Sequence, residues 1–102
     1  MSANPARGEA ALVLGGETIV LRPSFAALMA VEAELGPLFA LVERAAAGGL
    51  GLGEMIALLW HCRFDAPAGL ERAVFAERLV EGGLAGATPA LRVLLGQILA
   101  GR

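Results

Sequence analysis

The sequence has few of the side chains that carry enzymatic chemistry. It contains no lysine and no tyrosine, and it has one histidine, one cysteine and one aspartate among 102 residues. General acid–base catalysis needs such groups within hydrogen-bonding reach of each other and of a substrate. His61 and Cys62 are adjacent, but neighbours on a helix point about 100° apart and do not form a nucleophile and base pair by themselves. We therefore expect a protein that is not an enzyme.

The shortage of ligands also argues against a metal or cofactor. His61 and Asp65 lie four residues apart and would supply half of a metal site, but no other histidine or cysteine exists to complete zinc coordination besides Cys62. An exposed ion pair is the default interpretation. The glycine-rich stretch Gly48–Gly53 suggests a phosphate cradle, yet Glu54 replaces the third glycine of the G-x-G-x-x-G pattern. A flexible helix connection is favoured, and we expect no cofactor.

Charge is low and dispersed. The net charge is −2, and all eight basic residues are arginines spread singly along the chain, so no basic stripe favours nucleic acid. The longest uncharged run, residues 82–91, has ten residues, against the roughly 20 that cross a bilayer. The single cysteine fits a reducing cytoplasm, and residues 1–11 lack the apolar region of a secretory signal. We expect a cytoplasmic protein that binds neither nucleic acid nor membrane.

A β-hairpin is predicted after a short flexible N-terminus, residues 1–8. Residues 9–14 and 17–22 flank Gly15 and Gly16, which suit a two-residue hairpin loop. That loop fixes the register and places one face toward the core: Leu14 opposite Glu17, Leu12 opposite Ile19, and Ala10 opposite Leu21. The outer edges of the hairpin are candidates for pairing with a partner strand.

The stretch from Leu21 to Gly36 should join this hairpin to a helix. Pro23 ends the strand and Ser24 is a candidate N-cap. Helical spacing gathers apolar residues on one side of the following helix: Phe25, Leu28, Met29, Val31 and Leu35.

Glu32 falls within the apolar side of that helix and needs a partner. One interpretation places it at the edge of the core, satisfied by an arginine or a backbone N–H. Arg63 is the first candidate, with three rivals: Arg22, Arg44 and Arg78. The other interpretation places Glu32 on a partner-binding groove.

Further helices are predicted over residues 38–47, 52–64, 70–81 and 89–101, with a loop at 65–69 and Thr88 as the last N-cap. The predicted fold class is α+β, mainly α, with a two-stranded hairpin followed by about five short helices in a compact bundle. Residues 1–102 should form a single domain with its helical region at 24–101.

The order of these features resembles a known family. It begins with N-P-x-R-G-E and the Gly15-Gly16 hairpin, followed by L-R-P-S-F-A-A-L and E-x-x-L-G; L-x-E-M-I-A-L-L and T-P-A-L-R-x-L-L-x-x-I-L-A-G complete it. Together these resemble the family of small phage tail proteins found in alphaproteobacterial gene transfer agents and related prophages. The resemblance covers nearly the whole chain.

The resemblance implies a non-enzymatic tail assembly chaperone that binds the tape measure protein during assembly. An alternative is a structural, tube-related component of the tail, joined to tail-tube subunits through the hairpin edge. A small enzyme is the third and least supported hypothesis. Self-association through the hairpin edge or the last helix is a further expectation. We expect the partner-binding residues to be Phe25, Met29, Glu32, Met55 and Trp60, since flexible methionines adapt to varied apolar partners.

Overall fold

The computed structural model describes residues 3–4 and 8–100 of the chain. The fold is α+β and mainly helical, which is the predicted fold class. A three-stranded sheet packs one face against the helices. The strands are β1 (Ala10–Leu14), β2 (Glu17–Leu21) and β3 (Arg63–Asp65); the helices are α1 (Phe25–Leu35), α2 (Leu38–Ala46), α3 (Leu52–His61), α4 (Arg72–Glu81) and α5 (Thr88–Ala100), with a 3₁₀ turn at Leu84–Ala87.

The predicted N-terminal segment, residues 1–8, lies largely outside the described residues. Where it is described, it contacts the rest of the protein. The Asn4 N–H donates to Oε1 of Glu9 at 2.8 Å, and the Asn4 carbonyl accepts from the Glu9 N–H at 3.1 Å. Gly8 is buried. The predicted helix end at Gly101 also lies outside the described residues.

The hairpin has the predicted register. Gly15 and Gly16 have φ values of 56° and 84°, the positive values that a type I′ turn requires at both central positions. Leu12 pairs with Ile19, and both side chains are 2% exposed. The two-residue turn therefore sets which face of the sheet is buried.

A third strand, β3, was not predicted. Arg63–Asp65 pairs antiparallel with β2, and a bulge lies at Val20 and Leu21. Helix α3 correspondingly ends at His61, three residues before the predicted end, and the Arg22 N–H donates to the Cys62 carbonyl at 2.7 Å. The backbone groups of residues 63–65 form hydrogen bonds with β2, in place of the hydrogen bonds that a longer α3 would form within itself. The predicted 65–69 loop accordingly begins after Asp65.

Helix α1 begins as predicted but buries a different face. Ser24 is its N-cap, with Oγ accepting from the Ala27 N–H at 3.2 Å. Ala27 and Val31 are buried, whereas Phe25 and Met29 are 81% and 51% exposed. The prediction that Phe25 and Met29 share the buried side with Val31 is wrong.

The core lies between the sheet and the helices. Its centre is formed by fully buried side chains from every layer: Leu21, Val31, Leu41, Leu58, Leu59, Phe75 and Leu94. Trp60 is half-buried and packs edge-on against Phe75, with ring centroids 5.4 Å apart. Helix α4 begins at Arg72, two residues later than predicted.

Helix α5 begins differently from the prediction. Thr88 has helical backbone angles and follows directly on the 3₁₀ turn, and its Oγ1 donates to the Leu84 carbonyl at 3.5 Å. Thr88 is therefore the first residue of the helix rather than its cap. The sequence pattern did not predict the 3₁₀ turn, which supplies the Leu84 carbonyl that accepts from Thr88.

No single helix among the described residues combines the length and hydropathy needed to cross a bilayer. Two pairs of helices reach those values by length and composition, but each pair is bent sharply, by 83° between α1 and α2 and by 110° between α4 and the last helical segment.

Candidate functional site

Three of the four most exposed large apolar side chains among the described residues lie on α1, α2 and α5, and the fourth is Val13 of β1. Phe25 is 81% exposed, Phe39 is 72% exposed and Leu99 is 58% exposed. With Met29 and the half-buried Ile98 they form what we name the apolar face: Phe25, Met29, Phe39, Ile98 and Leu99, arranged around Glu32. Because exposed apolar patches on folded proteins usually mark interaction sites, we take this surface as the candidate functional site.

The apolar face arises from the sharp connection between α1 and α2. Phe25 and Met29 are four residues apart and therefore lie on one side of α1, with Glu32 following on the same side. Gly36 adopts φ 88° and ψ −166°, a conformation that glycine reaches and other residues rarely do. Pro37 then starts α2 at an 83° bend from α1. The bend brings Phe39 beside the end of α5.

Two shallow depressions share Glu32 and make this surface continuous. One, of about 410 Å³, is lined by Glu32, Leu38, Phe39, Val42, Ile98 and Leu99. The other, of about 520 Å³, is lined by Met29, Glu32, Ala33, Gly36 and Pro37. Glu32 supplies the charge where the two depressions meet.

Glu32 is bound to a backbone donor and not to an arginine. Its Oε2 accepts from the Leu38 N–H at 3.0 Å, at the first turn of α2. That N–H has no partner within its own helix, and the positive end of the helix dipole favours a carboxylate there. Glu32 is exposed rather than at the core edge. The backbone partner was one of the two predicted, and among the described residues Glu32 forms no ion pair.

Arg63, the predicted partner of Glu32, lies elsewhere. Its guanidinium stacks over the Trp60 ring at 3.3 Å, and its Nε donates to the Trp60 carbonyl at 2.7 Å. Stacking on the Trp60 ring near the end of α3 gives the cation a partner without crossing to α1. The predicted Glu32–Arg63 pair is therefore wrong.

His61 also pairs differently from the prediction. Its Nε2 lies 2.8 Å from Oε1 of Glu34, not beside Asp65. Arg72 donates to both oxygens of the same carboxylate, at 2.8 and 2.6 Å. Glu34 thus connects α1, α3 and α4. The early end of α3 explains the difference, because Asp65 lies on β3 and no longer shares a helix face with His61.

Three of the five predicted partner-binding residues come together on the apolar face: Phe25, Met29 and Glu32. Met55 and Trp60 lie on α3, half-buried against the core. That any of the five binds a partner stays a prediction.

Phe39 and Leu99 are not among the residues predicted from the sequence to bind a partner. Phe39 follows Leu38, and Leu99 follows Ile98. Each is therefore rotated by about 100° around its helix from a residue of the apolar stripe. A large apolar residue outside the stripe was the available signal.

The remaining reactive groups are occupied or buried. Cys62 is fully buried, and desolvation raises its thiol pKa to about 12, so the thiol is protonated at neutral pH. The glycine-rich stretch connects α2 and α3, where Glu54 accepts from the Gly51 N–H at 2.9 Å and from Arg44 at 2.8 Å. Within residues 3–4 and 8–100, no three metal-ligating side chains come together.

Comparison with known proteins identifies a family but no individual relative. A family model described as "Phage tail tube protein, GTA-gp10" matches residues 7–101. No curated protein and no solved structure matches. The match supports the resemblance to tail proteins of gene transfer agents, and its description favours a tube component over a chaperone. Since the match spans all but the first six residues and the last, the chain belongs to the phage tail tube protein family GTA-gp10.

Proposed function

We propose that this protein is a structural, non-enzymatic component of a phage or gene-transfer-agent tail. It joins neighbouring tail subunits by packing the apolar face against them. The observation that carries the proposal is the exposure of Phe39 and Leu99 around one depression that shares Glu32 with a second depression lined by Met29. The family description supports a tube-related role for the protein.

The chemistry of the apolar face suits burial in an interface. Burying a phenylalanine or leucine side chain contributes about 1.5–3 kcal/mol relative to leaving it exposed. Aromatic side chains are enriched in interface centres, and charged groups are depleted there. Glu32 is the surface's charged residue, and its carboxylate already accepts from the Leu38 N–H. A partner that covers this region does not have to supply every hydrogen bond that Glu32 requires.

A second candidate function is the predicted chaperone for the tape measure protein. The exposed Met29 favours it, because an unbranched thioether packs against varied apolar helices. An amphipathic helix of the client would lie in the same depressions, between Met29 and Leu99.

Quantitative mass spectrometry of purified particles separates the two functions. A structural component should be present in finished particles at a copy number comparable with other tail subunits. A chaperone should be absent from them, although cells that lack it should fail to make tails. Absence of the chain from intact particles would overturn the structural proposal.

Co-expression with the tape measure protein is the complementary measurement. The structural proposal predicts that the client's solubility does not depend on this chain. Solubility that requires the chain and falls on changing Met29 to serine would favour the chaperone. The matched control is Met55→Leu, a volume-conserving change on α3 outside the apolar face.

A further inference from the structure

Glu32 is the charged residue that the two depressions of the apolar face share. Its Oε2 accepts from the Leu38 N–H, and among the described residues its Oε1 has no hydrogen-bond or ion-pair partner. A partner that packs apolar side chains around Glu32 removes water from this carboxylate. Removing water from a charged group is costly unless a new partner replaces the water. A cation that reaches Oε1 would replace it.

The chain does not supply that cation itself. Every arginine of the described residues except Arg92 already contacts a carboxylate or an aromatic ring: Arg22, Arg44, Arg63, Arg72 and Arg78. Arg92 lies on α5 two helical turns before Leu99, which is roughly 10 Å along the helix axis. The chain contains no lysine. The positive charge therefore has to come from the partner.

The backbone chemistry of the surface favours a helix as the occupant. The residues that line the two depressions belong to α1, α2, α5 and the turn at Gly36 and Pro37, so no strand edge lies among them. An extended peptide placed there would leave its own N–H and C=O groups without partners, whereas buried backbone groups are almost always paired. An α-helix pairs these groups internally and presents its side chains to the surface.

We propose that the apolar face binds an amphipathic helix of a different tail subunit, and that a lysine or arginine within the apolar stripe of that helix donates to Oε1 of Glu32. Apolar side chains of the helix pack on Met29 in one depression and on Phe39 and Leu99 in the other. This inference rests on the proposed function, because it names the chemistry of the partner that the apolar face takes.

Charge argues against a second copy of this chain as the occupant. Glu43 lies one turn after Phe39 on α2, is exposed, and forms no ion pair among the described residues. Two copies that met through this face about a two-fold axis would bring the Glu32 and Glu43 carboxylates of both copies into one interface. Like charges placed together in an interface are unfavourable. A basic helix complements the same carboxylates.

Binding of synthetic peptides to the full chain tests the proposal. The probes are amphipathic alanine–leucine peptides of about 20 residues, longer than the length at which isolated helices are marginal. They differ only in the central residue of the apolar stripe, which is lysine, glutamine or glutamate. We expect the lysine peptide to bind about tenfold or more tightly than the glutamine peptide, the gain from a hydrogen bond to a charged group. The glutamate peptide should bind most weakly, and fluorescence anisotropy measures all three affinities.

Two variants of the chain locate the contact of the lysine. Glu32→Gln keeps an oxygen that can accept from the Leu38 N–H, so the junction of α1 and α2 should stay folded while the charge is lost. We expect this variant to bind the lysine and glutamine peptides equally. Glu77→Gln removes the same charge from an exposed position on α4 and, as the matched control, should keep the preference for lysine. No binding of any peptide, or a lysine preference that persists in Glu32→Gln, would overturn the proposal.

Sedimentation equilibrium tests the second copy as the alternative occupant. We expect the same mass for the unmodified chain and for Phe39→Ala, which truncates the apolar face. An unmodified chain that is a dimer and dissociates in Phe39→Ala would identify a second copy as the occupant and overturn the proposal.

The helix contact and the structural role fail separately. The copy number of the chain in purified particles measures the structural role and does not depend on peptide binding. Absence from particles, together with lysine-peptide binding that requires Glu32, would overturn the structural role alone. Presence in particles without a lysine preference would overturn the helix contact alone.

Discussion

At the residue scale, the Glu34 carboxylate links three helices, α1, α3 and α4. It lies on α1 and accepts hydrogen bonds from Arg72 of α4, with His61 of α3 at 2.8 Å. The Arg72 hydrogen bonds, with a further contribution from His61, lower the pKa of the carboxyl from 4.5 to about 2. The sequence gives no signal for this cluster, because its members are separated by 27 and 38 positions.

Glu34→Gln should make the protein less sensitive to acid. A carboxyl whose pKa is lower in the folded state contributes stability above pH 4.5 and loses it as the pH falls toward 2. The free energy of unfolding of the unmodified chain should therefore fall more steeply between pH 4.5 and 2 than that of Glu34→Gln. Urea titrations at several pH values measure this, with Glu77→Gln on α4 as the control. Parallel pH profiles of Glu34→Gln and the unmodified chain would contradict the assignment.

Gly8 is a second position where one residue's conformation matters. It has φ +74°, and an added Cβ would lie 2.5 Å from the Gln97 side chain on α5. Gly8→Ala should lower the free energy of unfolding by about 1–2 kcal/mol, the cost of positive φ for a residue with Cβ. Gly53→Ala is the control, since no atom lies within 4 Å of the added Cβ and alanine favours the helix. Equal stability of the two variants would show that the Gly8 conformation is not required.

At the element scale, prediction succeeded where local chemistry determines the outcome. Gly15 and Gly16 fix the hairpin turn, and the turn fixes the register. Strand β3 could not be predicted, because three residues contain no periodic pattern and their pairing depends on β2. The buried face of α1 was predicted incorrectly, since Phe25 and Met29 lie beside Leu28 on the helical wheel. Apolar residues on two sides of one helix leave its orientation to tertiary packing.

Glu32 acts at the junction of two elements. Its carboxylate accepts from the Leu38 N–H, which otherwise has no partner in α2. Glu32→Ala should lower the free energy of unfolding by about 0.5 kcal/mol, typical for a carboxylate at a helix N-terminus. Denaturant unfolding measures the change. Glu43→Ala, in the middle of α2, is the control. A Glu32→Ala protein as stable as the control would show that the bond contributes nothing measurable.

At the scale of the whole molecule, the apolar face combines side chains from three helices, α1, α2 and α5. The sequence predicted three residues of the apolar face from their helix, but not Phe39 or Leu99, because only the bend at Gly36 and Pro37 brings α2 and α5 into one surface with α1.

The most direct test counts this chain in purified tail particles from cells that make either the unmodified protein or Phe25→Ala/Phe39→Ala. Both rings are mostly exposed, so the variant should fold with an unchanged thermal midpoint. Phe64→Ala, at a phenylalanine 51% exposed on β3, is the matched control. We predict many copies per particle for the unmodified chain and the control, and about tenfold fewer for the double variant, the loss expected when interface anchors are truncated. Particles that lack the unmodified chain, or that take up the double variant equally well, would contradict the structural role of the apolar face.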